Sequence, residues 1–301
     1  MNEHLFSILI ANYNNGRYLQ EAIDSVLAQT YTNWEVILVD DKSTDNSFEI
    51  YEKYKDDLRF HIYYNDENRG CGYTKRRCAQ LANGELCGFL DPDDVLEYNA
   101  LDIMVRTHQE HPDCSLVYST LFLWDDKSGE TKVIEDVGAM ENGEDFLISS
   151  KKMVSQFAVF KNEAYRKTKG INQHLQSAVD IDEYYSLEEV GEFFYINIPL
   201  YYYRQTNINS ISIGSNEARS KALTNRYKTS LIAFSRRIRT DHPLYLKNKD
   251  KYIFLMRWQM EWYKKMVGHI NCLLIKSCWT YIVANSFSLR SYNHIRKIIF
   301  K

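Results

Sequence analysis

No Cys-x-x-Cys pair occurs in this 301-residue chain, and its six cysteines (positions 71, 78, 87, 114, 272 and 278) keep no ligand-like spacing with the eight histidines. That argues against a zinc site. The cysteines do not mark a secreted disulfide framework either, so a reducing, cytoplasmic setting is expected. A G-x-G-x-x-G after the first strand-like run is also missing, which disfavours an NAD-dependent enzyme. Residues 11–16 lack the glycine-rich basic loop that holds a triphosphate. Asn2, Glu3 and His4 do not make the positive region of a signal peptide, so none is expected. The longest apolar stretch, around 273–284, contains Lys276 and is too short for the ~30 Å hydrocarbon core of a bilayer. There is no internal repeat and no low-complexity linker.

What is present is enough for a full core: one large domain, or one and a half. Apolar residues make up 45% and charged residues 26%, the usage of ordinary globular proteins. Tyrosine is the outlier at 23 residues; such amphipathic rings suit sugar handling or a membrane interface, and equally suit half-buried strands. The net charge of −3 hides an asymmetry. Residues 245–301 hold 11 Lys and Arg against 2 Asp and Glu, a net +9, which leaves 26 against 38, a net −12, for everything before them. A basic, aromatic-rich tail on an acidic body points to an anionic surface as partner.

The first ninety residues alternate. Apolar, β-branched runs at 7–10, 35–39, 59–63 and 86–90 enclose helical patterns at 19–28, 47–55 and 74–82. Strand–helix alternation with short connections predicts a right-handed, mostly parallel sheet covered on both faces, an α/β fold. Thr44 or Asp45 is the expected N-cap of the second helix. Beyond Asp94 the pattern predicts a helix at 101–109, a strand at 115–122, a polar turn at 125–129 and a strand at 153–160. A helix near 182–190 and an aromatic strand ending at 200–204 follow, and only helices from about 214.

Two carboxylate clusters come directly after strand-like runs: Asp40 and Asp41, then Asp91, Asp93 and Asp94. In an open α/β sheet, ligands bind beyond the carboxyl ends of the strands. Carboxylates gathered there repel one another unless a cation joins them, and Asp-x-Asp spacing lets two side chains reach one divalent ion. The alternative is a pair of polar turns or helix caps.

These residues resemble the family 2 glycosyltransferases with the GT-A fold. Residues 7–14 and 38–45, the stretches 65–70 and 82–94, and later 178–182 and 199–204 carry the resemblance, which covers 5 to about 212. It implies a catalytic domain over 1–212 with a nucleotide-diphospho-sugar, Rossmann-like sheet; the helical basic region over 213–301 lies outside the resemblance and is read from its pattern and charge. It also implies that Tyr13 and Asp40 hold the base of a nucleoside diphosphate, with Ala11 and Lys75 completing the donor site. Asp91 and Asp93 would hold Mg²⁺ or Mn²⁺ and the ribose-diphosphate, with Asp94 sharing that work. The family inverts configuration, so Asp180 is implied as the base that takes the acceptor hydroxyl's proton; it also fits an N-cap for the helix near 182.

The sequence departs from the family pattern at three places. Val179 replaces the usual Glu before the base, Lys75 replaces the usual Arg, and Gln205, Thr206 and Asn207 offer no counterpart to a histidine that can complete the metal site. Lys75, Arg76 and Arg77 alone, on an acidic body, do not argue for nucleic acid. In the tail, Leu255, Trp258, Trp262 and Met266 share a helical stripe, which suits either a membrane interface or packing against protein.

The expected function is therefore transfer of a sugar from a nucleoside diphosphate, UDP favoured, to a saccharide or lipid-linked acceptor in surface-polysaccharide synthesis. The expected location is cytoplasmic, peripheral on the inner face of the plasma membrane. A nucleotidyltransferase and an inactive sugar- or partner-binding protein of the same fold are the alternatives.

Overall fold

A computed structural model describes residues 4–141, 143–149, 153–205 and 216–267. Its centre is a pair of parallel strands, β1 (Phe6–Asn12) and β2 (Trp34–Asp40), apolar at most positions and almost wholly buried. Continuous burial of this kind requires cover on both faces, as strand–helix–strand crossovers provide. Helix α1 (Gly16–Leu27) supplies part of that cover by burying Leu19, Ala22, Ile23 and Val26, one face at helical spacing. Helix α2 (Ser47–Tyr51) is shorter than the pattern predicts. After Tyr51 the N–H groups of Lys53, Tyr54 and Asp57 bond three residues back and tighten the chain into turns. Strand β3 (Phe60–Tyr64), helix α3 (Cys71–Leu81) and strand β4 (Leu86–Phe89) complete the first half.

Strand β5 (Val95–Leu96), helix α4 (Ala100–Glu110), strands β6 (Cys114–Asp125), β7 (Thr131–Val133) and β8 (Ala158–Lys161), and helix α5 (Asn162–Arg166) follow. Helix α6 (Val179–Leu187) and strand β9 (Glu192–Gln205) come next, then helices α7 (Asn216–Arg239), α8 (Pro243–Lys247) and α9 (Lys249–Val267). Among the described residues the strands form one sheet in the order β3-β2-β1-β4-β8-β6-β9-β5, with β7 on β6. The parallel pairing expected from the alternation holds from β3 to β4 and returns at β6 and β9. Antiparallel β8 lies between these groups, so the sheet as a whole is mixed. The strand predicted from 153 starts only at Ala158. The helix predicted from 182 starts three residues earlier, at Val179.

Register positions the functional groups. Asn12 is level with Asp40, and the Leu90 N–H continues the β1–β4 ladder by donating to Leu9 O at 3.0 Å. Strands β1, β2 and β4 therefore end along one edge, and the segments that follow them are held side by side there. On the far side, β5 pairs with β9 through Val95 and Tyr202, which brings Tyr201 and Arg204 against the turn after β4.

The chain forms two compact units, Met1–Asn225 and Arg226–Lys301, with the boundary inside α7. In the second, the fully buried Arg237 donates to the Tyr252 hydroxyl at 3.0 Å, and Phe234 and Tyr245 pack edge-on against the Tyr252 ring. The inner face of α9 is Tyr252, Ile253 and Met256, whereas Phe254 (66% exposed) and Trp258 (47%) face outward. Of the stripe expected here, Leu255 is half-buried and Trp258 exposed. The side chains of Trp262 and Met266 lie outside the described residues, as do the apolar stretch at 273–284 and the basic positions beyond it. No described helix is long and apolar enough to cross a membrane.

Candidate active site

The end of β2 is tied to the end of β1 by side chains. Asp40 is buried, and its carboxylate accepts from the Tyr51 hydroxyl at 2.6 Å, from the Ser43 N–H at 2.8 Å and from Asn12 Nδ2 at 3.4 Å. Burial, and then the Asp40 carboxylate beside it, raises the Tyr51 pKa and keeps that phenol a donor. Asp41 points the other way: its oxygens accept from Asn65 Nδ2 and from the N–H groups of Arg69 and Gly70, at 2.7 to 2.8 Å. That fixes the entry to α3. Gly70 has φ +84°, and any Cβ there would collide with the Gln176 side chain, so the position needs glycine.

The turn after β4 carries the second cluster. Asp94 is 2% exposed; Oδ2 accepts from the Tyr201 hydroxyl and Oδ1 from the Arg204 N–H, each at 2.7 Å. The Asp91 N–H in turn donates to the Tyr201 oxygen at 3.2 Å. The Asp91 carboxylate receives the Lys75 ammonium at 2.8 Å. Burial opposes the charge on Lys75, but Asp91, with Cys71 and Asp180 nearby, outweighs it and holds the ammonium well above the usual lysine range. Asp93 differs from both neighbours. No other described residue bonds its carboxylate, which its own N–H approaches, and burial and then Asp91 push its pKa up to about 6. Arg204 and Lys75 counter that rise only in part, and a hard cation would counter it further.

Asp180 sits in the first turn of α6, two residues beyond the N-cap position it was expected to fill. The cap is Ala178, at φ +58°, a left-handed backbone that costs a non-glycine residue of order 1 kcal/mol or more. Asn225 Nδ2 donates to Ser177 Oγ at 2.8 Å and braces this bend. One turn on, Glu183 is buried beneath the cleft, its Oε1 without a partner, and burial pushes its pKa up to about 8.

These segments enclose a cleft of about 630 Å³. Ala11, Tyr13, Lys75, Asp91, Asp93 and Asp180 line it together; Asp94 forms part of its floor with both oxygens already engaged. Asp40 does not line it, whereas Asp41 does. Tyr13 presents an exposed ring beside Asn14, whose φ of +54° is a second left-handed residue at the cleft. Of two anchoring residues, Asp41 was read only as a member of a carboxylate cluster, and Arg204 had no role of its own in the sequence. Asp41 stood beside Asp40 without a distinguishing signal, and Arg204 was visible only as part of a motif. Glu183 gave no signal at all, because burial of a carboxylate in an otherwise mixed helix is not written in its spacing.

Among the described residues no three His, Cys, Asp or Glu side chains are gathered as a preformed metal cage. Asp91 and Asp93 nonetheless fit Mg²⁺ or Mn²⁺ of the kind that takes one or two carboxylates and completes its shell with substrate phosphates.

Comparison with known proteins agrees with this fold. Residues 7–169, more than half of the chain, match the profile of the family described as Glycosyl transferase family 2. A chondroitin synthase from Escherichia coli is 29% identical over 199 residues, 64% of this chain but only 28% of that protein's length. The glycosyltransferase GlyG of Streptococcus pneumoniae serotype 4 is 28% identical over 216 residues, 67% of this chain and 71% of GlyG. Among solved structures, S. aureus TarS 1–349 in complex with UDP-GlcNAc superposes with a TM-score of 0.69 at 19% identity, covering 93% of this chain and 80% of that one. The mannosyltransferase PcManGT of Pyrobaculum calidifontis, in complex with GDP-Man and Mn²⁺, gives 0.57 at 15%, over 99% and 80%. The chain belongs to glycosyl transferase family 2 and has the GT-A fold.

Proposed function

We propose that this chain is an inverting glycosyltransferase that moves a sugar from a nucleoside diphosphate, UDP favoured, to a saccharide or lipid-linked saccharide acceptor in surface-polysaccharide synthesis. The observation that carries the reading is Asp93, a carboxylate bonded by no other described residue in a cleft that also holds Asp91, Lys75 and Asp180. Support for the donor class comes from TarS and PcManGT, whose structures hold UDP-GlcNAc and GDP-Man. Support for the polymer context comes from the chondroitin synthase relative.

In this reading the Tyr13 ring stacks on the base, and the backbone of Ala11 borders it. Asp40, buried below, holds Asn12 and Ser43 in place. Lys75 takes the diphosphate, and Asp91 and Asp93 would hold Mg²⁺ or Mn²⁺, whose charge would offset the negative charge of a departing diphosphate. Asp180 accepts the proton of the attacking hydroxyl, and its carboxylate favours positive charge on the sugar ring. Val179 puts an apolar side chain where the family pattern has a second carboxylate, so Asp180 works without an acidic neighbour in the chain before it.

We place the enzyme at an anionic membrane surface. Exposed Phe254 and Trp258, with Lys247 and Lys249 close by in the sequence, and the net +9 of residues 245–301 support this. The test of the function is a panel of nucleotide-sugars assayed for Mn²⁺-dependent transfer or hydrolysis. Turnover of one UDP-sugar that stops with chelator is the expected result; no turnover and no binding across the panel would point to an inactive member of the family.

A further inference from the structure

The Lys75–Asp91 pair has a feature the transfer reaction does not require. Lys75 lies in the first half of α3, and its side chain is 12% exposed. Its Nζ lies 2.8 Å from Asp91 Oδ1 and 5.0 Å from the centroid of the Phe89 ring. The ammonium thus sits on one of the two carboxylates that fit a divalent cation and brings positive charge to it. Among the described residues Asp93 beside it forms no ion pair, although Arg204 and Lys75 are near enough to lower its pKa.

Building on the functional reading above, we propose that Lys75 holds Asp91 closed to the divalent cation until a diphosphate arrives, so that metal enters together with the nucleotide. The physical argument is competition. A divalent ion approaching Asp91 meets an ammonium already bonded to the same oxygen, in a partly buried site where like charges a few ångströms apart repel strongly. A diphosphate changes the balance because its oxygens offer the ammonium a new partner and add ligands for the metal. Lysine suits the exchange: its ammonium is a compact charge on a flexible stem that can move between acceptors. Metal and nucleotide are therefore coupled, and by linkage each strengthens the other by the same factor.

The test uses the full chain and Mn²⁺ itself, read as loss of the free-ion paramagnetic resonance signal, first without nucleotide and then with UDP. Wild type and Lys75→Arg should take up little Mn²⁺ alone and much more with UDP. Lys75→Met, which removes the charge but keeps the length, should bind Mn²⁺ alone on the order of tenfold more tightly than wild type. Mn²⁺ should then also raise its unfolding temperature without nucleotide. Wild type binding Mn²⁺ equally well with and without UDP overturns the proposal, whether or not the Met variant folds, and leaves the metal role standing. A folded Lys75→Met that gains nothing also overturns it, making the pair a brace only. If neither protein takes up Mn²⁺ even with UDP, the metal role falls and this proposal with it.

Discussion

Arg204 Nε donates to the backbone carbonyl of Asp93 at 2.7 Å, joining the end of β9 to the turn after β4. The same guanidinium lies 3.8 Å from the Trp124 ring centroid and 4.7 Å from that of Tyr18, and bonds Asp126 and Glu21. Its backbone N–H holds Asp94. One buried side chain therefore fixes the Asp93 backbone while leaving the carboxylate free. Arg204→Lys keeps the charge but loses the planar fork. The variant should fold with stability lowered by about 1–3 kcal/mol, the cost of unmade buried hydrogen bonds. It should also lose Mn²⁺-dependent UDP affinity, as denaturant unfolding and calorimetry would reveal; unchanged affinity would reduce Arg204 to a stability role.

Asp180→Asn should separate chemistry from donor binding. The amide keeps the shape but cannot take a proton, so transfer should fall by about 10²- to 10⁴-fold. UDP affinity should stay near that of wild type, because neither the base nor the diphosphate is assigned to Asp180. Wild-type turnover by the purified variant would remove Asp180 from the mechanism.

Glu183 gives the pH prediction. Its pKa is pushed up to about 8 by burial, with Asp180 and Asp182 adding to the shift and Lys75 opposing it. The folded state therefore binds more protons at this group than the unfolded state between the ordinary carboxylate range and about pH 8. Stability from this group is present at low pH and is lost as pH rises through that window. Glu183→Gln should be near wild type in stability at pH 5 and more stable at pH 9, by an amount on the order of a few kcal/mol. Chemical denaturation at several pH values measures it; a difference that does not grow with pH would mean Glu183 is hydrated or paired.

The parts legible in the sequence were those set by local pattern. Burial on both faces made β1 and β2 continuous apolar runs, and the register of Asn12 with Asp40 made the ends of those runs a site. The roles within each cluster were not legible. Asp40 and Asp41 differ by one position on an extended chain and so face opposite ways, one to Tyr51 and one to the loop at Arg69. Asp94 reads as a ligand by adjacency, yet Tyr201 and Arg204, more than a hundred residues later, engage both its oxygens. Antiparallel β8 was blurred because its pairing partners lie far away in sequence, and only three residues of the predicted run, 158–160, form strand.

For the membrane proposal, Phe254→Ser combined with Trp258→Ser removes exposed rings and should leave the fold intact. Each basic residue near an anionic surface contributes about 1 kcal/mol, and the rings add a part that salt does not screen. The double variant should sediment less with phosphatidylserine-containing vesicles, most visibly at raised ionic strength. Equal sedimentation, or none by wild type at low salt, would make this face a protein contact.

The central claim is that the cleft binds a nucleoside diphosphate through a divalent ion on Asp91 and Asp93. Titration calorimetry of UDP into the full chain, with Mn²⁺ and again after chelation, tests it most directly. Tight binding with Mn²⁺ that weakens by about tenfold or more on chelation, and that in Asp93→Asn is already as weak with Mn²⁺ as without it, is the result predicted. UDP binding of equal strength with and without the metal would contradict it.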